Sequence, residues 1–210
     1  MPSVAACVTT TATKSISLIV HRALGVKDWM QRPPSVEEAR PGRCPRCAAA
    51  GRPLGGSLGL HGHGLRDRQV RGPPEITAAS TTSVIACRRY LCTACGAVVT
   101  VVPLGIEPRR HYGRAAICLA LALWALGGRP TTAVRARVGS WPSHEATSWR
   151  TVRRWAAAVS SGAWSWCCAA AGLAPRAAAA RAAQIAAGRA PPRTAGPIWE
   201  QAYAGGATLL

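Results

Sequence analysis

Phenylalanine and asparagine are absent from this chain, and tyrosine occurs only three times. Lysine is scarce beside arginine. Eight tryptophans therefore carry most of the aromatic packing. Phe, Asn and Lys have A- and T-rich codons, whereas the abundant Ala, Gly, Pro and Arg have G- and C-rich ones. The preference for Arg over Lys thus reflects a genome bias more than a function. The shortage of acids says more. Eight Asp and Glu stand against 26 Lys and Arg, a net charge of +18. Solubility does not require that excess. Summed Coulomb attraction draws such a chain to polyanions, most often nucleic acid, with a membrane surface as the alternative.

The same shortage argues against a nuclease. Many nucleases cleave DNA with a set of acids holding two metal ions. Here the acids are Asp28, Glu37, Glu38, Asp67, Glu75, Glu107, Glu145 and Glu200, and neither aspartate follows a convincing buried strand. Residues 174–210 are too few for a nuclease domain. No phosphate-binding glycine loop and no Ser/His/Asp arrangement is found, so no enzymatic activity is expected.

Long apolar runs are also missing. A membrane span needs about 20 apolar residues, and the longest run, "AAICLALALWAL" at 115–126, suits a buried helix. The N-terminus lacks a basic start, apolar core and cleavage site, so no signal peptide is expected. A reducing, cytoplasmic setting is expected, with no membrane partner. In it the nine cysteines are not a disulfide framework.

Four segments emerge. Residues 1–43 are a leader in which "SISLIV" (15–20) predicts a strand, and "SVEEAR" (35–40) a helical turn capped by Ser35. Residues 44–103 read as a zinc ribbon of one or two hairpins with a Gly-rich insertion, "GRPLGGSLGLHGHG". Residues 104–173 turn helical. Residues 174–210 are rich in Ala, Pro and Gly. "PRAAAARAAQIAAG" can form a helix but has little apolar face beyond Ile185, and disorder is expected from about Ala190.

Two C-x-x-C pairs carry the chemistry: "CPRC" (Cys44, Cys47) and "CTAC" (Cys92, Cys95). Two intervening residues let a tight turn aim both sulfurs at one metal, and two such pairs complete a Cys₄ site for structural zinc. Gly96, just after the second pair, suits a turn that needs positive φ; Ala48, in the matching place, suits it less. Residues 48–91 separate the pairs, where roughly 15 to 20 is common, and the Gly-rich insertion is the expected reason. The rival is a redox C-x-x-C, which wants the motif opening a helix beside a βαβ unit. His61 and His63 read as polar loop residues and Cys87 as a buried thiol. Cys7, Cys118, Cys167 and Cys168 read as small apolar residues.

In "SWRTVRRWAAAV" (148–159), Trp149, Val152, Ala156 and Val159 form one stripe at helical period, bordered by Trp155. Arg150, Arg153 and Arg154 fall together on the other side. Ser148 is the expected cap. Such a helix can lie in a major groove, its arginines on phosphates or guanine edges, with Thr151 near its N-terminus. "TTAVRARVG" before it completes a helix-turn-helix packed on the 112–126 helix. Residues 140–147 lie between them, more than the 3 to 4 such a turn commonly uses. The plain alternative is a solvated basic face on a helical bundle.

The order of parts resembles a family of largely uncharacterised bacterial proteins related to insertion-sequence transposases, which carry a zinc ribbon and then a helix-turn-helix; the resemblance implies a bacterial, nucleoid-associated location. The matching residues are Cys44, Cys47, His63, Gly64, Arg89, Tyr90, Cys92, Cys95, Gly96, Pro103 and Thr151 to Trp155, across about residues 40–165. The chain departs from that pattern at Ala48, at Val99, in the insertion between the knuckles and in the long turn.

The expected architecture is therefore α+β: a small β-rich zinc ribbon, then a three-helix helix-turn-helix bundle, then a disordered C-terminal tail. The expected function is zinc-dependent binding of double-stranded DNA, transposase-associated or transposase-derived. Cys44, Cys47, Cys92 and Cys95 would hold the metal. Arg150, Thr151, Arg153 and Arg154 would contact DNA, with Arg88 and Arg89 touching its backbone. Alternatives are an RNA-binding ribbon that stacks bases on exposed aromatics, a truncated recombinase acting with a separate catalytic chain, and a protein-interaction module using Trp141, Trp164 and Trp166.

Overall fold

The computed structural model describes residues 18–108, 110–140 and 149–208. Its first half is a four-stranded sheet: β1 (Leu18–Arg22), β2 (Leu60–Gly72), β3 (Thr81–Cys92) and β4 (Val98–Pro103), in the order β1-β4-β3-β2. β1 runs parallel to β4, and the other pairs are antiparallel. The expected strand in the leader is thus real over Leu18–Arg22, two residues beyond the expected end, while residues 15–17 of the expected span lie outside the described residues. Its residues are half-buried beside β4, which is why a mixed Leu-Ile-Val run suffices.

The leader also supplies α1 (Val26–Gln31) and α2 (Val36–Ala39). Ser35 caps α2 as its spacing predicts: its hydroxyl accepts from the Glu38 amide while the Glu38 carboxylate accepts from the Ser35 amide. Trp29 of α1 is fully buried and its indole donates to the Ala86 carbonyl at 2.9 Å. Tyr90 of β3 is also fully buried, and its hydroxyl donates to the Val36 carbonyl at 2.6 Å. Leader and sheet therefore share one core, built on Trp29, Leu60, Ile85, Tyr90, Val99, Val101 and Ile106.

The second half is helical: α3 (Arg114–Ala125), α4 (Thr131–Val138), α5 (Arg150–Ser160), a 3₁₀ helix at Ser165–Ala170, α6 (Pro175–Ala187) and α7 (Ile198–Thr208). Here the expectation of three helices and a disordered tail is corrected. α6 and α7 are ordered and close the helical core. α6 buries Ala178, Ala179, Ala182, Ala183 and Ala186. A stripe of alanines has little bulk, so hydropathy underrates it, yet it lets helix axes come close, and alanine is the best helix former. Gly205 and Gly206 of α7 complete the fit. A Cβ on Gly205 would lie 1.8 Å from the Ala186 carbonyl oxygen, and one on Gly206 would lie 2.9 Å from the Cys118 sulfur.

The halves meet along β2 and its connection to β3. The Gly113 amide donates to the Arg71 carbonyl at 3.1 Å, and the Tyr203 hydroxyl of α7 donates to the Pro73 carbonyl at 2.8 Å. Arg114 Nε lies 2.5 Å from Glu107 Oε1, an ion pair with both side chains almost fully buried. No described helix is long and apolar enough to cross a membrane.

Candidate metal centre and basic helix

The sheet brings the two C-x-x-C pairs together. Leu60 pairs with Cys92 at the open end of the β2–β3 hairpin. Most of the sequence between the pairs is therefore a long antiparallel hairpin that leaves and returns to the same place. A hairpin is expected here; the correction concerns the Gly-rich insertion at 51–64, whose last residues, from Leu60, are already strand. The loop part is narrow. A Cβ on Gly51 or on Gly59 would lie 2.1 Å from the carbonyl oxygen of Pro41 or of Ala50. The Thr93 amide then donates to the Gly59 carbonyl at 3.0 Å, which ties the second knuckle to the loop that follows the first.

The two knuckles share one backbone design. The Ala48 amide donates to the Cys44 carbonyl and the Gly96 amide to the Cys92 carbonyl, each at 2.9 Å. Both residues have positive φ, 59° at Ala48 and 68° at Gly96. The turn needs the left-handed conformation at both places, and one is filled by alanine, at a steric cost.

The four sulfurs lie within 4.8 Å of one another. Cys44 Sγ is 3.8 Å from Cys95 Sγ, and Cys47 Sγ is 3.6 Å from Cys92 Sγ. A tetrahedron with metal–sulfur bonds of about 2.3 Å has edges of about 3.8 Å. The cluster thus has the dimensions of a four-thiolate metal site. At Cys44 burial alone would raise the thiol, but the amides of Cys47 and Arg46, with the sulfurs of Cys92 and Cys47, bring it down to about 7. At Cys95 the Ala97 amide favours the thiolate, yet burial and the three neighbouring sulfurs push the thiol up to about 12. So many thiolates at this distance repel one another, and a bound cation relieves that repulsion.

His61, His63 and Cys87 stand apart from the cluster. His61 Nε2 lies 2.8 Å from the Leu58 carbonyl. Cys87 is buried in β3, where burial pushes its thiol up to about 11.

On α5 the stripe falls as its spacing predicts. Val152, Trp155, Ala156 and Val159 are buried, while Arg150, Arg153 and Arg154 are exposed and Thr151 is half-exposed. Trp149, Trp155 and Tyr112 pack edge to face with centroids 5.0 to 5.9 Å apart, which fixes the helix on its buried side. The Trp149 amide donates to Thr131 Oγ1 of α4 at 3.2 Å. Both α4 and α5 pack on α3, and α6 packs against α5 as well. Ser148, Trp141 and Glu145 lie outside the described residues.

Elsewhere, basic side chains lie closer to the fold. Arg88 is half-buried and donates from Nε to the Pro34 carbonyl at 2.8 Å. Arg89 is half-buried too, beside Gly64. Arg137 of α4 donates to the carbonyls of Ala78 and Ile76. Trp164 and Trp166 are buried and stacked 5.9 Å apart rather than displayed.

The chain matches no protein-family model, and no curated protein or solved structure is significantly similar to it.

Proposed function

We propose that this protein binds double-stranded DNA through α5, on a scaffold whose sheet half is set by a structural zinc ion. The observation that carries the reading is the division of α5: one face locked by the Trp149, Trp155 and Tyr112 rings, the other presenting Arg150, Arg153 and Arg154 to solvent. Three arginines on a rigid helix, in a chain of net charge +18, suit the phosphates and guanine edges of a major groove. In this reading α4 and α5 act as a helix-turn-helix on α3. Arg88 serves chiefly to hold the sheet to the leader, through the Pro34 carbonyl, and Arg89 would touch the DNA backbone. Zinc is the natural ion for four thiolates in a tetrahedral cluster, and its part is to fold the knuckles rather than to react.

Catalysis has no place in the reading. A transposase-associated or transposase-derived role rests on the order of knuckles, "RRY" and "TVRRW" alone, and a recombinase chain acting beside this one fits the same role. Base stacking on RNA is less well supported, because Trp29, Trp149, Trp155, Trp164 and Trp166 are all buried.

The test is fluorescence anisotropy with a labelled random-sequence duplex and a single-stranded RNA of equal length. The wild type is compared with the triple variant R150A/R153A/R154A. Tighter binding to duplex than to RNA, with a loss of tenfold or more in the variant, supports the reading. Preference for RNA, or equal duplex affinity in the variant, refutes it.

A further inference from the structure

A cavity of about 1210 Å³ opens between the sheet and the helical half, away from both the cysteine cluster and the exposed arginines of α5. Its lining is basic: Arg66 and Arg68 from β2, and Arg110 and His111 from the segment before α3. Two acids also line it. Glu107 is held by Arg114 in the buried ion pair. Asp67 lies between Arg66 and Arg68 on β2, and the lining arginines Arg66, Arg68, Arg110 and Arg114 outnumber the two acids. The balance around the cavity favours an anion.

Two polar groups there lack partners. Thr100 of β4 is only 5% exposed, and its Oγ1 has no hydrogen-bond partner among the described residues. Arg110 Nε is in the same state. The Arg110 guanidinium lies 5.9 Å from the centroid of the Trp164 ring, which also lines the cavity. A buried hydroxyl and a buried guanidinium N–H are costly to leave unmet, so native proteins rarely do so away from a ligand or water. Arg68 spends one Nη2 on the carbonyls of Glu107 and Arg110, which fixes its guanidinium at the cavity wall. Planar guanidinium forks match phosphate oxygens, and the volume exceeds what a single oxyanion fills.

We propose that this cavity binds a phosphate-bearing ligand of nucleotide size, with Arg66, Arg68 and Arg110 on the phosphate and the Thr100 hydroxyl as a further contact. Two sources share that chemistry, a free nucleotide and the 5′-phosphorylated end of a nucleic-acid strand. The site is independent of duplex binding by α5.

Isothermal titration calorimetry of the zinc-loaded full chain tests it, with AMP, adenosine, and a short single-stranded oligonucleotide with and without a 5′-phosphate. Binding of AMP but not adenosine assigns the site to free nucleotides. Binding of the phosphorylated oligonucleotide alone assigns it to strand ends. R66Q and R110Q, checked by circular dichroism, should each weaken the bound probe tenfold or more. R150A/R153A/R154A should leave it unchanged. T100V should weaken it and raise the Tm of the ligand-free protein. No heat with either phosphorylated probe, equal binding of their dephosphorylated counterparts, or wild-type affinity in folded R66Q and R110Q overturns the proposal, whatever the fate of duplex binding.

Discussion

The two halves of the molecule solve the same problem by different means. The sheet half draws its ends together with four cysteines and two turns that require left-handed backbone. The helical half uses close packing, with alanines of α6 and glycines of α7 set against each other and against α3. A metal site is local and readily undone, whereas an alanine–glycine interface is spread along several helical turns. The sheet half should therefore depend on its ion and the helical half on side-chain volume.

The largest expected effect comes from removing the ion. Structural zinc contributes on the order of 10 kcal/mol or more to such folds. Cys92→Ser, or a strong chelator, should abolish metal binding and expose the β3 and β4 amides to hydrogen exchange, while the α3 and α6 amides stay protected longer. Equal loss of protection in both halves would mean that they do not differ in this way. The opposite break is Gly205→Val, which sets a side chain against the Ala186 carbonyl. It should cost about 3 kcal/mol in denaturant unfolding, the upper end for overpacking, with metal content unchanged.

The junction sharpens the comparison. Glu107→Gln removes one charge of the buried Arg114–Glu107 pair. Breaking such a pair costs about 3 to 5 kcal/mol, and urea unfolding should register it in both halves. The smallest effect lies within the sheet half, between its two knuckles. Ala48→Gly should stabilise by about 0.5 to 1 kcal/mol, because alanine at φ 59° carries a steric cost that glycine avoids. Gly96→Ala, where added bulk meets nothing within 4 Å, should destabilise by about 1 kcal/mol from backbone strain alone. Thermal melts of the two zinc-loaded variants would check the opposite signs.

What was legible in the sequence divides along the same line. Cys-x-x-Cys spacing, the Ser35 cap and the α5 stripe are local patterns, and each reports directly on a turn or a helix face. The convergence of Cys44, Cys47, Cys92 and Cys95 was readable for that reason. A hairpin between them was readable too, but not where its first strand begins, because glycines and histidines in "LHGHG" resemble a loop until they pair with β3. Tail order was hidden as well: Ala182 and Gly205 matter through what they allow to approach, and that depends on a partner helix remote in sequence. The basic cavity drew on Arg66, Thr100 and Arg110, three separate segments whose meeting no spacing announces.

The most direct test of DNA binding by α5 is the salt dependence of duplex affinity for the zinc-loaded protein and for R150A/R153A/R154A. Each phosphate contact contributes about −0.9 to the slope of log K against log salt. The expected result is weaker binding by the variant at every salt concentration, with a slope shallower by about 2 to 3. Identical slopes and affinities would contradict the central claim and leave α5 as scaffold, with the charge that binds DNA lying elsewhere on the chain.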